Sequence, residues 1–156
     1  MRAILIGCEY AGTTTLAGGL QRWSREVMGE GNGLRMIHDH WKIPHISGHP
    51  GLDDENLLNP GEQEQILALP PKVKEMMQRH SLAYHTAPGA LRNPDYVAIG
   101  LHIENAVYGQ LYFDYYVGER AWARQAILDH FEKSIVELAP DMTLVLVRAS
   151  AETIAG

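Results

Sequence analysis

The sequence predicts an α/β fold of three layers, a parallel sheet with helices on both faces. Three observations predict it. Four short runs rich in apolar β-formers, Arg2 to Ile6, Leu34 to His38, Tyr96 to Leu101 and Thr143 to Val147, read as strands, the first and third of the buried parallel type. Segments of helical period lie between them, the alternation that builds a parallel sheet. The first run passes directly into a glycine turn, Gly7 to Gly12, ahead of a helix. In open α/β sheets that position, beyond the carboxyl end of a strand, is where ligands bind.

In chain order, Thr13 to Val27 reads as the first helix. Thr13, Thr14 and Thr15 offer side-chain oxygens at its start. Leu16, Leu20, Trp23 and Val27 recur at spacings of four, three and four, which predicts one apolar face for the core. Gly18 and Gly19 weaken the helix by about 1 kcal/mol each relative to alanine, and Gly29, Gly31 and Gly33 end it. The second strand runs into Asp39, His40 and Trp41. Lys42 to Pro60, rich in Gly, Pro, Asp and Asn, reads as a long loop, a feature usually tied to function in a compact domain. Helices follow from Pro60 to Leu69 and from Pro71 to about His85, each opening on a proline. Pro88 and Gly89 close that segment. Glu119 to Leu138 is the strongest helix, with Trp122, Ile127, Phe131, Ile135 and Leu138 spaced for one face. After the fourth strand, Ala149 to Glu152 looks like another helix start, with Ser150 as N-cap.

With 156 residues, no internal repeat and no low-complexity segment, the chain is expected to form a single domain. Thirteen Lys and Arg against nineteen Asp and Glu leave a formal charge of −6, which disfavours general binding to nucleic acid or anionic membranes. No apolar run approaches the roughly 20 residues of a membrane span, and the apolar stretch at the N-terminus is too short for a signal peptide. Cys8 is the sole cysteine, so no intramolecular disulfide exists. A cytoplasmic location is the expectation.

The chemistry concentrates in Gly7-Cys-Glu-Tyr-Ala-Gly12-Thr13-Thr14. The Walker A pattern is G-x-x-x-x-G-K-[ST]. Both glycines, their spacing and the final threonine are present, and Thr13 stands in place of the lysine. Glycines permit the tight turn, backbone N–H groups form an anion nest, and the helix N-terminus adds positive potential. Gly7, Glu9, Tyr10, Ala11, Gly12, Thr13, Thr14 and Thr15 are therefore the expected nucleotide-binding set, with the Thr14 hydroxyl facing a magnesium ion on the phosphates. The ammonium that follows the transferring phosphoryl group is missing. Glu9 places a negative charge inside the loop, to meet a metal or a basic neighbour.

The segment Gly7 to Thr14, Asp39-His40 after the second strand, His102-Ile103-Glu104 after the third and TLVLVRASAETI from Thr143 to Ile154 together resemble the P-loop kinases of the nucleoside and nucleotide kinase type, thymidylate-kinase-like proteins above all. The resemblance covers most of the chain in order. It implies a P-loop NTPase sheet of five parallel strands in the order 2-3-1-4-5, and transfer of the ATP γ-phosphoryl group to a nucleotide or nucleoside. It implies that Asp39 orients the acceptor hydroxyl or a metal-bound water, and that Glu104 holds a magnesium-bound water or acts as base. The lid arginines and the fifth strand would fall after Gly156, so the domain is expected to be incomplete at its C-terminus.

Each candidate also has a plainer reading. Asp39 can cap a turn, and Glu104 can sit at a helix start, where the dipole favours a carboxylate. Arg120 and Arg124 share a helix face and can seat an acceptor phosphate with their planar forks, or form a solvated face with Glu119. His38, His40, His45 and His49, with His102, fit no zinc spacing and read better as a polar loop lining an acceptor pocket with His40 and Asp39. Tyr108, Tyr112, Phe113, Tyr115 and Tyr116, with Trp41, suit a stacking wall or the surface of a homo-oligomer. Lys42 is a candidate for the missing cation, and Arg148 faces the same rim.

Three functions follow. The first is a phosphotransferase with ATP and Mg2+ as cofactors and a small-molecule acceptor, in which Asp39, Glu104 and Arg120 are catalytic and Asp39, His40, Arg120 and Arg124 bind the acceptor. The second is a nucleotide-binding module without turnover. The third is an interaction fragment that binds no nucleotide.

Overall fold

The computed structural model describes residues 1–29, 34–38, 59–113 and 121–155. Four strands, β1 (Arg2–Ile6), β2 (Arg35–His38), β3 (Tyr96–Ile99) and β4 (Thr143–Leu146), pair in the order β2-β3-β1-β4, every pair parallel. The register sets Ala3 beside Val97 and Thr143, and Ile37 beside Ala98.

Side-chain alternation along the central strands divides the core in two. Ile4, Ile37, Tyr96 and Ala98 face one way; Ala3, Leu5, Val97 and Ile99 face the other. Helix α1 (Thr13–Val27) covers the second face through Ala17, with Leu20 partly buried against it. The first face is covered by α3 (Pro71–His85), the short α4 (Pro88–Leu91), α5 (Leu101–Phe113) and α6 (Ala121–Leu138), through Leu82, Leu91, Leu101, Leu128, Phe131 and Ile135. The sheet thus lies between two helical layers, as the alternation of elements predicts.

Local chemistry explains the smaller elements. α2 (Pro60–Leu67) starts on a capping box: the Asn59 side chain accepts from Glu62 N–H at 3.1 Å, and Glu62 accepts from Asn59 N–H at 2.8 Å. α7 (Ala151–Ala155) follows Ser150, whose Oγ accepts from Thr153 N–H at 3.2 Å, the cap expected there.

Three expectations are corrected. The apolar stripe of α1 does not face the sheet: Leu16, Trp23 and Val27 are exposed, while Ala17 and Ser24 are buried. The small residues allow the closest approach to β1 and β3, and that outweighs the larger apolar stripe. The run Tyr96 to Leu101 is shorter as a strand, because Gly100 (φ +79) and Leu101 (φ +49) turn the chain into α5, a helix that the periodicity did not reveal. The expected cover of the sheet on both faces stops short of β4, which closes the described sheet on one side with Leu144 and Leu146 exposed.

A candidate phosphate loop and the carboxylate beside it

β1 delivers Gly7 to the carboxyl edge of the sheet, and α1 starts at Thr13. Two residues between them adopt left-handed backbone, Tyr10 (φ 64) and Gly12 (φ 94). For Gly12 this is free of steric cost; for Tyr10, 84% exposed, it is strained, a state found most often at functional sites. Ala11 N–H donates to Cys8 C=O at 3.0 Å, which closes the turn, and Leu16 N–H donates to Gly12 C=O at 2.9 Å. The N-cap residue of α1, Gly12, has no side chain to cap the helix, and its first turn carries no acid. The first amides of a helix can take an acceptor from outside it.

Gly7 itself is closely packed. A Cβ there would lie 2.9 Å from Val147 O and 3.1 Å from Thr13 Cγ2. Thr13, in the lysine position, is half-buried with its methyl turned toward Gly7; Thr14 and Thr15 are exposed.

Glu104 meets this loop from α5. Its Oε1 accepts from Gly7 N–H at 3.2 Å. The turn at Gly100 makes the approach possible, since a Cβ on Gly100 would fall 2.6 Å from Glu104 Oε2. Burial pushes the Glu104 carboxyl above its ordinary value; the Gly7 bond opposes that shift, and the charge of Glu9 adds to it. One turn further along α5, Tyr108 engages the Glu9 backbone, and burial raises its hydroxyl as well. Gly7, Glu9, Glu104 and Tyr108 therefore form one cluster at the tips of β1 and β3.

Arg124 is placed differently from either sequence reading. It is wholly buried, and its Nη1 donates to Glu75 Oε1 at 2.9 Å, with Arg79 on the same carboxylate at 3.5 Å. Arg124 is therefore not on a solvated face, and Glu119 lies outside the described residues. Leu101 shares a cluster with Leu82 and Leu128, so α3, α5 and α6 converge; Glu75, Gln78, Asn105 and Arg124 are buried polar residues of these three helices. Asn105, one turn beyond Leu101, is fully buried, and neither Oδ1 nor Nδ2 has a hydrogen-bond partner among the described residues. Sequence reading passed over Asn105, Glu75 and Gln78. Their signal was present: Glu75, Gln78, Leu82 and His85 fall at spacings of three and four, a core face on which polar residues replace apolar ones.

Asp39, His40 and Arg120 lie outside the described residues, as do Trp41, Lys42, His45, His49, Tyr115 and Tyr116; so do the side chains of His38, Tyr112 and Phe113. His102 is buried in α5, apart from any histidine group, and Arg148 is exposed after β4. Among the described residues no three His, Cys, Asp or Glu side chains are gathered to hold a metal, and no helix is long and apolar enough to cross a membrane. No protein-family model, curated protein or solved structure matches the chain.

Proposed function

We propose that the protein is a P-loop phosphotransferase of the nucleoside and nucleotide kinase type, moving the γ-phosphoryl group of ATP to a small acceptor. The observation that carries this reading is Glu104 held 3.2 Å from Gly7 at the mouth of a strand–glycine-turn–helix joint. An anion nest and an acid stand side by side at the carboxyl ends of the strands, where α/β sheets place their ligands. The strand order β2-β3-β1-β4 agrees with the first four positions of that kinase sheet.

In this reading the loop amides and the α1 N-terminus hold the phosphates. Thr14 and Glu104 are the residues that would hold magnesium, Glu104 through a bound water, and the ion would supply neutralisation of charge on the phosphates. Glu104, its carboxyl raised by burial, takes the proton of an acceptor hydroxyl as that oxygen bonds to the γ-phosphorus and the bond to the β-γ bridging oxygen breaks. A buried amide with neither atom paired is costly in an empty protein. Asn105 therefore supports an acceptor that offers both a donor and an acceptor edge.

Thr13 favours a second reading, nucleotide binding without turnover, because the transition state lacks its ammonium. One experiment separates the readings. Titration with Mg·ATP is followed by thermal unfolding, then by ADP release with nucleosides and nucleoside monophosphates. A hundredfold excess over Kd stabilises by about 2.7 kcal/mol. Binding with acceptor-dependent release is the expected result. Binding without release leaves the second reading, and no shift at millimolar nucleotide ends both in favour of an interaction fragment.

A further inference from the structure

Away from the glycine turn, the far half of α6 and the start of β4 enclose a pocket of about 220 Å³. Ile4 forms its floor, and Ile103, Ile135, Val136 and Leu144 are among its apolar walls. Two polar side chains interrupt that wall, His102 and Glu132. His102 is 6% exposed, and its Nδ1 has no hydrogen-bond partner among the described residues. Glu132 is exposed and is the only Asp, Glu, Lys or Arg among the described residues of the lining.

Volume, polarity and charge together define a ligand. An apolar cavity of about 150 Å³ accommodates benzene, so this one has room for a ring and a short chain. Apolar walls fix an apolar body and a few polar groups fix orientation, the usual design of a small-molecule site. A single carboxylate at the edge of an apolar lining selects a cation over a neutral or anionic head group.

We propose that this pocket binds a small aryl-alkyl amine, with its ring between α6 and β4 and its ammonium at Glu132.

Calorimetric titration of the full chain with 2-phenylethylamine, 2-phenylethanol and 3-phenylpropanoate tests it. The amine is expected to bind saturably at one site, about fivefold more tightly than the alcohol, the scale of one partly exposed ion pair; the acid is expected not to bind. Glu132→Gln reduces the amine to the affinity of the alcohol. Val136→Arg, at an exposed helix position, abolishes binding while circular dichroism stays unchanged. Absence of saturable binding, equal affinity for amine and alcohol, or indifference to Glu132→Gln overturns the proposal. So does a dimer in sedimentation that Val136→Arg dissociates and that excludes the amine, since the pocket would then be covered by a second copy of the chain.

Discussion

Glu104 and Gly7 are 97 residues apart in the chain and 3.2 Å apart in the structure, joined by a hydrogen bond from the first glycine of the turn to a half-buried carboxylate. The bond ties the tip of β3 to the tip of β1 at the point where both strands hand the chain to a helix. It also sets a negative charge beside amides suited to anions, a conflict that a bound cation or a proton on Glu104 would relieve.

That conflict has a definite pH signature. The ordinary value for the Glu104 carboxyl is 4.5, and in the folded protein it is higher. As pH rises, the unfolded chain loses this proton first, so ionisation favours unfolding. The contribution of Glu104 is intact below about pH 4.5 and declines as pH climbs through the raised folded value. Glu104→Gln keeps an oxygen for Gly7 N–H and removes the titration. The Tm of this variant relative to the parent is expected to increase from pH 4.5 toward neutrality and then level off. A difference independent of pH would contradict the assignment.

Gly100 supplies the space Glu104 occupies. Alanine there meets two costs: left-handed backbone at φ +79, about 1–2 kcal/mol, and a Cβ 2.6 Å from Glu104 Oε2. In a Glu104→Ala background the second cost disappears. A double-mutant cycle by urea denaturation is expected to give a coupling of about 1 kcal/mol or more. Additive effects would mean that Gly100 serves the turn alone.

Thr13→Lys restores the cation the loop lacks. A charge-assisted hydrogen bond is worth about 1.5–3 kcal/mol, so Mg·ATP is expected to bind at least about tenfold more tightly. The gain should diminish with added salt. Unchanged affinity at low salt would count against the loop as a phosphate site.

The legible parts of the fold were those governed by local pattern. The apolar runs of β1 to β4 and the proline starts of α2 and α3 mark their own positions, and Gly7 to Gly12 marks the loop. What escaped depends on tertiary choice. Leu16, Trp23 and Val27 make an ordinary core stripe, but Ala17 and Ser24 let α1 sit closer to the sheet. α5 was hidden because Tyr96 to Leu101 reads as one apolar run, and only the paired positive φ values at Gly100 and Leu101 divide it. Glu104 was legible as a strand-end acid, yet its partner Gly7 was not, since no local rule links positions so far apart. The polar interior escaped because periodicity was counted in apolar residues, whereas Glu75, Gln78 and Arg124 occupy core positions.

Glu75 and Arg124 are the least exposed ion pair described, at 2% and 0% of their side chains. Losing one member leaves the other charged and buried, at a cost of about 3–5 kcal/mol. Arg124→Met alone and Glu75→Leu alone are each expected to lower stability on that scale. The double variant should lose far less than the sum, as measured by denaturant midpoints. Full additivity would show that the two side chains act on stability separately.

Asn105 separates a structural role from a binding role most sharply. A fully buried amide with both polar atoms unpaired among the described residues destabilises the protein by about 1–3 kcal/mol. Leucine is of similar size, has no polar atom to desolvate and favours the helix. Asn105→Leu is therefore expected to raise the denaturant midpoint of the ligand-free protein by about 1 kcal/mol or more, with an unchanged m-value. The same substitution should weaken the proposed acceptor at least about tenfold while Mg·ATP affinity stays constant, because the glycine turn is held by the neighbouring Glu104 and not by Asn105. A destabilised variant, or one that retains its acceptor affinity, would make Asn105 part of the core and remove it from the acceptor site. A gain in stability coupled to loss of acceptor binding alone is the signature of a residue kept for its ligand at the expense of the fold.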